Sequence, residues 1–336
     1  MASSPDVIVI GAGVLGLCTA AELAARGHAV TVIDPGGPNA SSIAAGMIAP
    51  ALESLLEDVT TAPAALLKRA RDLWPAFAES HGLKLLREGA DWRGPDADAA
   101  AARLRALGFD VRVTPNGLTT PEDWRIEVAP ALKALARTPG LAMVRGQVVR
   151  LTGDARRWRV EAADGRVWFS STVVLATGAG EPIAGLPDSV AAGVSAITPI
   201  RGQLTFVATA APPRVVRGPG VYAAPCDGGV VIGATMEPGR RDLEPDPPEA
   251  ARQIAAGLAL LDVTGEVGPT RVGIRGATAD GLPLAGPSGE PGLHLALAPR
   301  RNGWLMGPFV ARITADGIEG RPPMADAAAL DPLRFA

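Results

Sequence analysis

Asp6-Val7-Ile8-Val9-Ile10-Gly11-Ala12-Gly13-Val14-Leu15-Gly16 is an apolar strand that runs straight into a glycine turn. A helical pattern follows and ends at Arg26-Gly27, and a second apolar run, Ala29-Val30-Thr31-Val32-Ile33, closes on Asp34. Strand, glycine turn, helix and a second strand ending in an acid are the order that a dinucleotide-binding βαβ unit requires. Gly11 allows the tight turn, Gly13 removes a Cβ that would block a pyrophosphate, and Gly16 lets helix and sheet approach. The helix N-terminus then offers unpaired N–H groups to phosphate. Asp34 stands eighteen positions after Gly16, near the ~20 expected of an acid that accepts a ribose hydroxyl. A nucleotide cofactor is the expectation.

A chain of 336 residues has length for about two domains. Lys and Arg number 32 against 35 Asp and Glu, without a basic run, which argues against nucleic acid and anionic membrane as partners. Two cysteines, Cys18 and Cys226, cannot make a disulfide framework and suit a reducing compartment. No charged leader precedes the strand at Val7, and no apolar run approaches the ~20 residues of a membrane span. A cytoplasmic location is expected.

Pro35 to Ser42 is polar and glycine-rich, and the small-residue segment Ile43 to Pro50 would let backbone approach a flat ligand; a tightly packed alanine helix fits it equally. Apolar residues at Leu66, Leu67, Ala70, Leu73, Trp74 and Phe77 predict one amphipathic helix over 62–80, and a second spans about 97–107. Thr120, Pro121 and Asp123 read as the start of a third, continuing through Trp124, Ile126, Val128, Leu132 and Leu135. Trp74, Trp92 and Trp124 read as packing residues. Short strands follow at 141–144, 148–151, 158–162 and 167–169, then a buried strand, Thr172 to Leu175, ending in a second glycine turn at Ala176-Thr177-Gly178-Ala179-Gly180. Further strands are expected at 199–207, 221–225, 230–236 and 293–298, with helices over 248–261 and 305–317.

These segments resemble the flavoproteins of the D-amino acid oxidase superfamily, most closely the glycine oxidase branch linked to thiamine biosynthesis. The resemblance covers nearly the whole chain. It is carried by GAGVLG (11–16), SSIAAGMIAP (41–50), ATGAG (176–180), PIRGQ (199–203), YAAP (222–225), GATMEPG (233–239), GIRGATADGLPLAGP (273–287) and RNG (301–303), in the family's order. It implies an α/β fold: a Rossmann-like FAD-binding domain of the glutathione-reductase type, from 1–50, 137–190 and 265–325. An inserted α+β substrate domain with a large mixed sheet would comprise 51–136 and 191–264, and 326–336 would be a tail.

The resemblance also implies site residues. Gly11, Gly13 and Gly16 would hold the pyrophosphate, with Gly178 near it, Asp34 the ribose and Val148 the adenine side, and Val14, Leu15, Ser41, Ser42, Ala176 and Thr177 would also contact the cofactor. Ala45, Gly46 and Met47 would line the flavin ring, and Arg301, Asn302, Gly303, Trp304 and Leu305 would bring a helix N-terminus to its N1 and O2 side, where negative charge develops. Arg275 and Tyr222 would hold an amino acid carboxylate, with Met236 and Arg301 around the same pocket. On the residues alone, Tyr222 could equally pack on a strand and Arg275 pair at the surface. Ala298, Pro299 and Arg300 stand where the family has Gly-His-aromatic, Trp304 replaces a smaller aliphatic residue, and Arg240-Arg241 replace an aromatic. The implied reaction is oxidative deamination of glycine, a small D-amino acid or a secondary amine, with oxygen as acceptor and hydrogen peroxide as product. Related sarcosine oxidases bind flavin through a cysteine near the segment that reads Val272-Gly273-Ile274 here, so FAD should be noncovalent. His28, His81 and His294 read as structural. An amine dehydrogenase using a quinone, or a noncatalytic flavin-bound amino acid binding protein, fits the same motifs, and homo-oligomerisation is left open.

Overall fold

A computed structural model describes residues 6–154, 156–179 and 183–335. Gly180, the last residue of the second glycine turn, and the outermost residues of the expected domain spans lie outside these. A six-stranded sheet has the order Leu284–Pro287, Leu293–Leu297, Thr172–Leu175, Val7–Ile10, Val30–Asp34, Leu141–Arg145, parallel except at its first strand. Alternation along the opening strand divides its side chains between two cores. Val7 and Val9 face the helices Val14–Ala25 and Gly303–Ile318, whereas Ile8 and Ile10 face the three-stranded sheet 148–170 through Leu151, Trp158 and Val160.

The second large sheet has nine strands, all antiparallel to their neighbours except Val215–Gly218 beside Ala90–Trp92. Together the two sheets give the expected α/β fold with a large mixed sheet. One face of the second sheet packs Ala223, Val230 and Ile232 against the helix Pro247–Leu261. Side-chain alternation therefore sends Tyr222 and Gly233 to the opposite face, where the site lies.

Several expectations need correction. Glu266–Ala277 pairs along Thr198–Ala208 in the nine-stranded sheet, so the chain rejoins the first sheet at Leu284 and not at 265. The predicted helix over 62–80 breaks into Thr61–Asp72 and Trp74–Ser80, and both pack their apolar stripe on the first sheet's helical core. Thr120 does not start a helix: Gly117–Thr120 and Trp124–Ile126 are strands, and the helix begins at Val128. Cys226 closes the strand Val221–Cys226.

Asp123 caps a different helix. Its carboxylate accepts the N–H groups of Ala51 (2.7 Å) and Leu52 (3.0 Å), at the start of the helix Pro50–Leu56, which the sequence reading missed. Burial pushes this carboxyl up to about 7 against the pull of the two N–H bonds. A carboxyl with a raised folded pKa binds its proton more tightly in the native state, so its contribution to stability falls as pH rises from about 4 to 7. Asp123→Asn removes that titration at the cost of a constant offset from one lost N–H bond. Urea midpoints at pH 5 and pH 8 should show the variant gaining on the wild type by on the order of 1–3 kcal/mol at the higher pH; parallel curves would place the titration elsewhere.

Candidate active site

Three cavities adjoin one another through shared walls. The outer one, about 480 Å³, is lined by Gly11, Gly13, Asp34, Ser41, Val148, Ala176, Thr177 and Gly178, among others. A middle one of about 100 Å³ adds Val14, Leu15, Arg301, Gly303 and Trp304. The inner one, about 260 Å³, is walled by Ala45, Gly46, Met47, Tyr222, Met236, Arg275, Arg301 and Trp304. The sequence-derived set thus converges on one elongated cleft. Four of its members do not line it. Gly16 packs under it, where a Cβ would run into the Gly11 carbonyl oxygen. The Ser42 hydroxyl turns back on the Asn39 backbone in a capping box, Asn302 is the N-cap of the final helix, and Leu305 is core.

Glycine chemistry shapes the outer end. Gly11 has φ of +111°, and a Cβ there would strike the Ala176 carbonyl. Gly178 lines both the outer and the middle cavity, and a Cβ there would meet nothing within 4 Å. Asp34 accepts from Ala12 N and Gly36 N, both at 2.7 Å, which fixes its carboxylate at the cavity rim. At the other end the final helix points its first turn into the cleft. Its first intrahelical bond is Met306 N to Asn302 O at 2.8 Å, so the N–H groups of Gly303, Trp304 and Leu305 precede the ladder. The Trp304 indole donates to Ser41 O at 3.2 Å and is tilted against Trp74, which makes it a wall of the cleft.

The inner cavity carries the charged groups. Arg275 Nη1 donates to Thr235 O (3.1 Å) and touches Met236 Sδ (3.3 Å), and its guanidinium has no carboxylate partner among the described residues. Burial, with Arg301 and Arg300 nearby, pushes it below the usual arginine range; burial likewise pushes the Tyr222 phenol up. Gly202 and Gly233 floor the pocket: a Cβ at Gly202 would stand 2.6 Å from Arg275 Cζ, and one at Gly233 would stand 3.1 Å from the Tyr222 hydroxyl. Because the guanidinium ends a flexible side chain, Gly202→Ala should preserve the fold and tilt the fork. We expect FAD content and Tm near wild type and a half-saturating amine concentration raised roughly tenfold to a hundredfold; unchanged steady-state kinetics would show that the fork does not work from this position.

Sequence reading missed three residues here. Glu53 and Glu57, one turn apart on Pro50–Leu56 and its C-cap, form an ionic network with three arginines. Arg217 Nη2 meets Glu53 Oε1 at 2.8 Å, Arg301 Nε meets Glu53 Oε2 at 3.0 Å, and Glu57 bonds Arg301 Nη1 at 2.7 Å as well as Arg300. Although burial pushes Glu53 up, Arg217 and Arg301 hold it below the usual carboxylate range. Pro219-Gly220 carried a usable signal, since a two-residue hairpin there places Arg217 opposite Tyr222. Of the residues that depart from the family's pattern, Pro299, Arg300 and Trp304 line the middle cavity, whereas Arg240 and Arg241 lie exposed outside it, Arg240 paired with Glu237 and Asp242.

The family model described as FAD dependent oxidoreductase (DAO) matches residues 6–317. The chain belongs to this family. It is therefore an FAD-dependent enzyme, and the cleft's open glycine wall and helix N-terminus fit that cofactor. The glycine oxidase of Pseudomonas aeruginosa is 30% identical over 372 residues, covering 98% of this chain and 99% of that one. The crystal structure of glycine oxidase from Geobacillus kaustophilus superposes with a TM-score of 0.81 at 26% identity, covering 98% and 99% of the two chains. The bifunctional protein MnmC of tRNA 5-methylaminomethyl-2-thiouridine biosynthesis from Burkholderia multivorans is 30% identical, but this chain spans 60% of its length. This DAO-family enzyme is an oxidoreductase of the glycine and amino acid oxidase type. No helix among its described residues is long and apolar enough to cross a membrane.

Proposed function

We propose that the enzyme catalyses oxidative deamination of glycine, a small D-amino acid or a secondary amine, with oxygen as acceptor. The observation that carries this reading is Arg275, a guanidinium without a carboxylate partner among the described residues, beside Tyr222 over a glycine floor in the same cavity as Ala45 to Met47. The fork and phenol would take the substrate carboxylate and turn its Cα–H toward the flavin face. When bound, FAD would supply the hydride acceptor for this step. Asp34 would hold the ribose, Gly13 and Gly178 the pyrophosphate, Val148 the adenine side, and the first turn of the final helix the negative charge that reduction brings. Cys18 is buried in the first helix, and neither it nor Cys226 lines the cleft, which supports noncovalent binding.

None of the three histidines lines the cleft; His294 is buried on its strand and pushed down to about 4 by burial. Glu53 is tied to two arginines. The amine must thus arrive at the hydride step already neutral, and orientation carries the catalysis. The imine product would hydrolyse to a keto acid and ammonia. A tRNA substrate finds no support in a chain with net charge −3 and no basic run.

Anaerobic mixing with glycine, sarcosine and a panel of D- and L-amino acids tests this. Bleaching of the oxidised-flavin absorbance, followed by recovery and peroxide on admitting air, is the expected result. Bleaching without recovery would replace oxygen by a quinone or other acceptor, and a flavin that no amine bleaches would overturn the reading.

A further inference from the structure

We propose that the inner cavity holds a second anionic group of its substrate on Arg217, so that the preferred amines are dicarboxylic, with a short acidic arm such as N-carboxymethyl. This rests on the amine-oxidising reading above. Arg217 is 1% exposed and lines the cavity; its Nη2 is bound to Glu53, but its equally buried Nη1 has no partner among the described residues. A buried guanidinium N–H without an acceptor is costly, and a ligand oxygen brought to it would be stabilised.

Register places Arg217 at the far end of the same floor. Arg217 lies opposite Tyr222, Tyr222 opposite Gly233, and Gly233 opposite Leu204, two residues along from the Gly202 that underlies Arg275. Three strand spacings of about 4.8 Å and an offset of two residues along the strand therefore set the backbone positions of Arg217 and Gly202 roughly 16 Å apart, a span into which both arginine side chains reach. Two carboxylates joined by four single bonds stand about 5 Å apart, and each adds about 4 Å to a guanidinium carbon, which makes roughly 13 Å. Charge points the same way. Arg217, Arg275, Arg300 and Arg301 face only Glu53 and Glu57 in this network. One substrate carboxylate leaves a cation uncompensated, whereas two close the balance. Arg217 is thus a specificity-determining residue at the end of the pocket opposite Arg275.

The FAD-loaded full-length enzyme should be titrated with acetate, propionate, malonate and succinate while flavin absorbance is followed, and its turnover of iminodiacetate compared with that of sarcosine, which carries a methyl in place of a carboxymethyl. We expect at least one dicarboxylate to bind tenfold or more tightly than propionate, and kcat/KM for iminodiacetate to exceed that for sarcosine by at least tenfold. The dicarboxylate-to-propionate ratio should collapse toward unity in Arg217→Met and recover in part in Arg217→Lys. Wild-type enzyme that binds dicarboxylates no more tightly than propionate overturns the proposal, whatever the variants do. Should no amine bleach the flavin while dicarboxylates still bind preferentially, the oxidase reading falls and the second anion site stands. Amines that bleach without any such preference retain the first reading and remove this one.

Discussion

Replacing Arg275 by Ala should raise the half-saturating amine concentration by a factor of about thirty to several thousand while FAD stays bound. Loss of a charged hydrogen-bond partner in a buried site costs roughly 2–5 kcal/mol, and each 1.4 kcal/mol is tenfold. The structure says why the loss should fall on substrate and not on fold. Arg275 makes no ion pair among the described residues, and its only bonds are to Thr235 O and Met236 Sδ. Its removal leaves no carboxylate stranded, in contrast to most buried arginines. A Lys at 275 would restore charge but not the fork, and should recover only part of the affinity. Stopped-flow bleaching of the flavin at graded amine concentrations reads the effect, with bound FAD counted from the spectrum of the same sample. An Arg275→Ala enzyme that saturates at the wild-type concentration would falsify the carboxylate assignment.

What was legible in the sequence was local geometry with its own chemical signature. Gly11, Gly13 and Gly16 between two apolar strands, Asp34 at the second strand's end, and the RNG turn before the last helix each declare a backbone shape; Gly11, Gly13, Asp34, Arg301 and Gly303 line one cleft, with Gly16 packed beneath it and Asn302 capping the helix. Tyr222 and Arg275 were legible only because a motif order surrounded them. Thr120-Pro121-Glu122-Asp123 looked like a helix start because its local capping chemistry is sound. Pairing of Thr120 with Ala90 and of Trp124 with Ile48 overrode that propensity, and Asp123 was left to cap a helix seventy residues earlier. Glu53 was invisible for a related reason. Its helix is only seven residues long, below the length at which periodicity speaks, and its partners Arg217 and Arg301 are set by the register of a distant hairpin and by the final helix.

Glu53 should therefore be the most sensitive position for stability in the site. It is buried between Arg217 and Arg301, and truncation to Ala leaves the buried Arg217 guanidinium without its counter-charge and the half-buried Arg301 with Glu57 alone. Breaking a buried pair in this way costs about 3–5 kcal/mol, which for a chain of this length corresponds to a fall in Tm of about 4–7 °C. Glu53→Gln keeps the volume and one acceptor and should lose less. The pH dependence identifies the cause. Glu53 has a depressed folded pKa, so its contribution is present above the ordinary carboxylate range and is lost as pH falls through that folded value. The gap between wild type and Glu53→Ala should accordingly be wide at pH 7 and narrow in acid. Asp123, at the start of the same helix, titrates with the opposite sign, losing stability as pH rises from about 4 to 7. Thermal melts of the FAD-loaded proteins from pH 4 to 8 separate the two, because Glu53→Ala should leave most of the Asp123 slope, which burial dominates, in place and Asp123→Asn should remove it. A Glu53→Ala enzyme equally destabilised at pH 4 and pH 7 would mean that packing, and not the charge held between the two arginines, is what the site helix supplies.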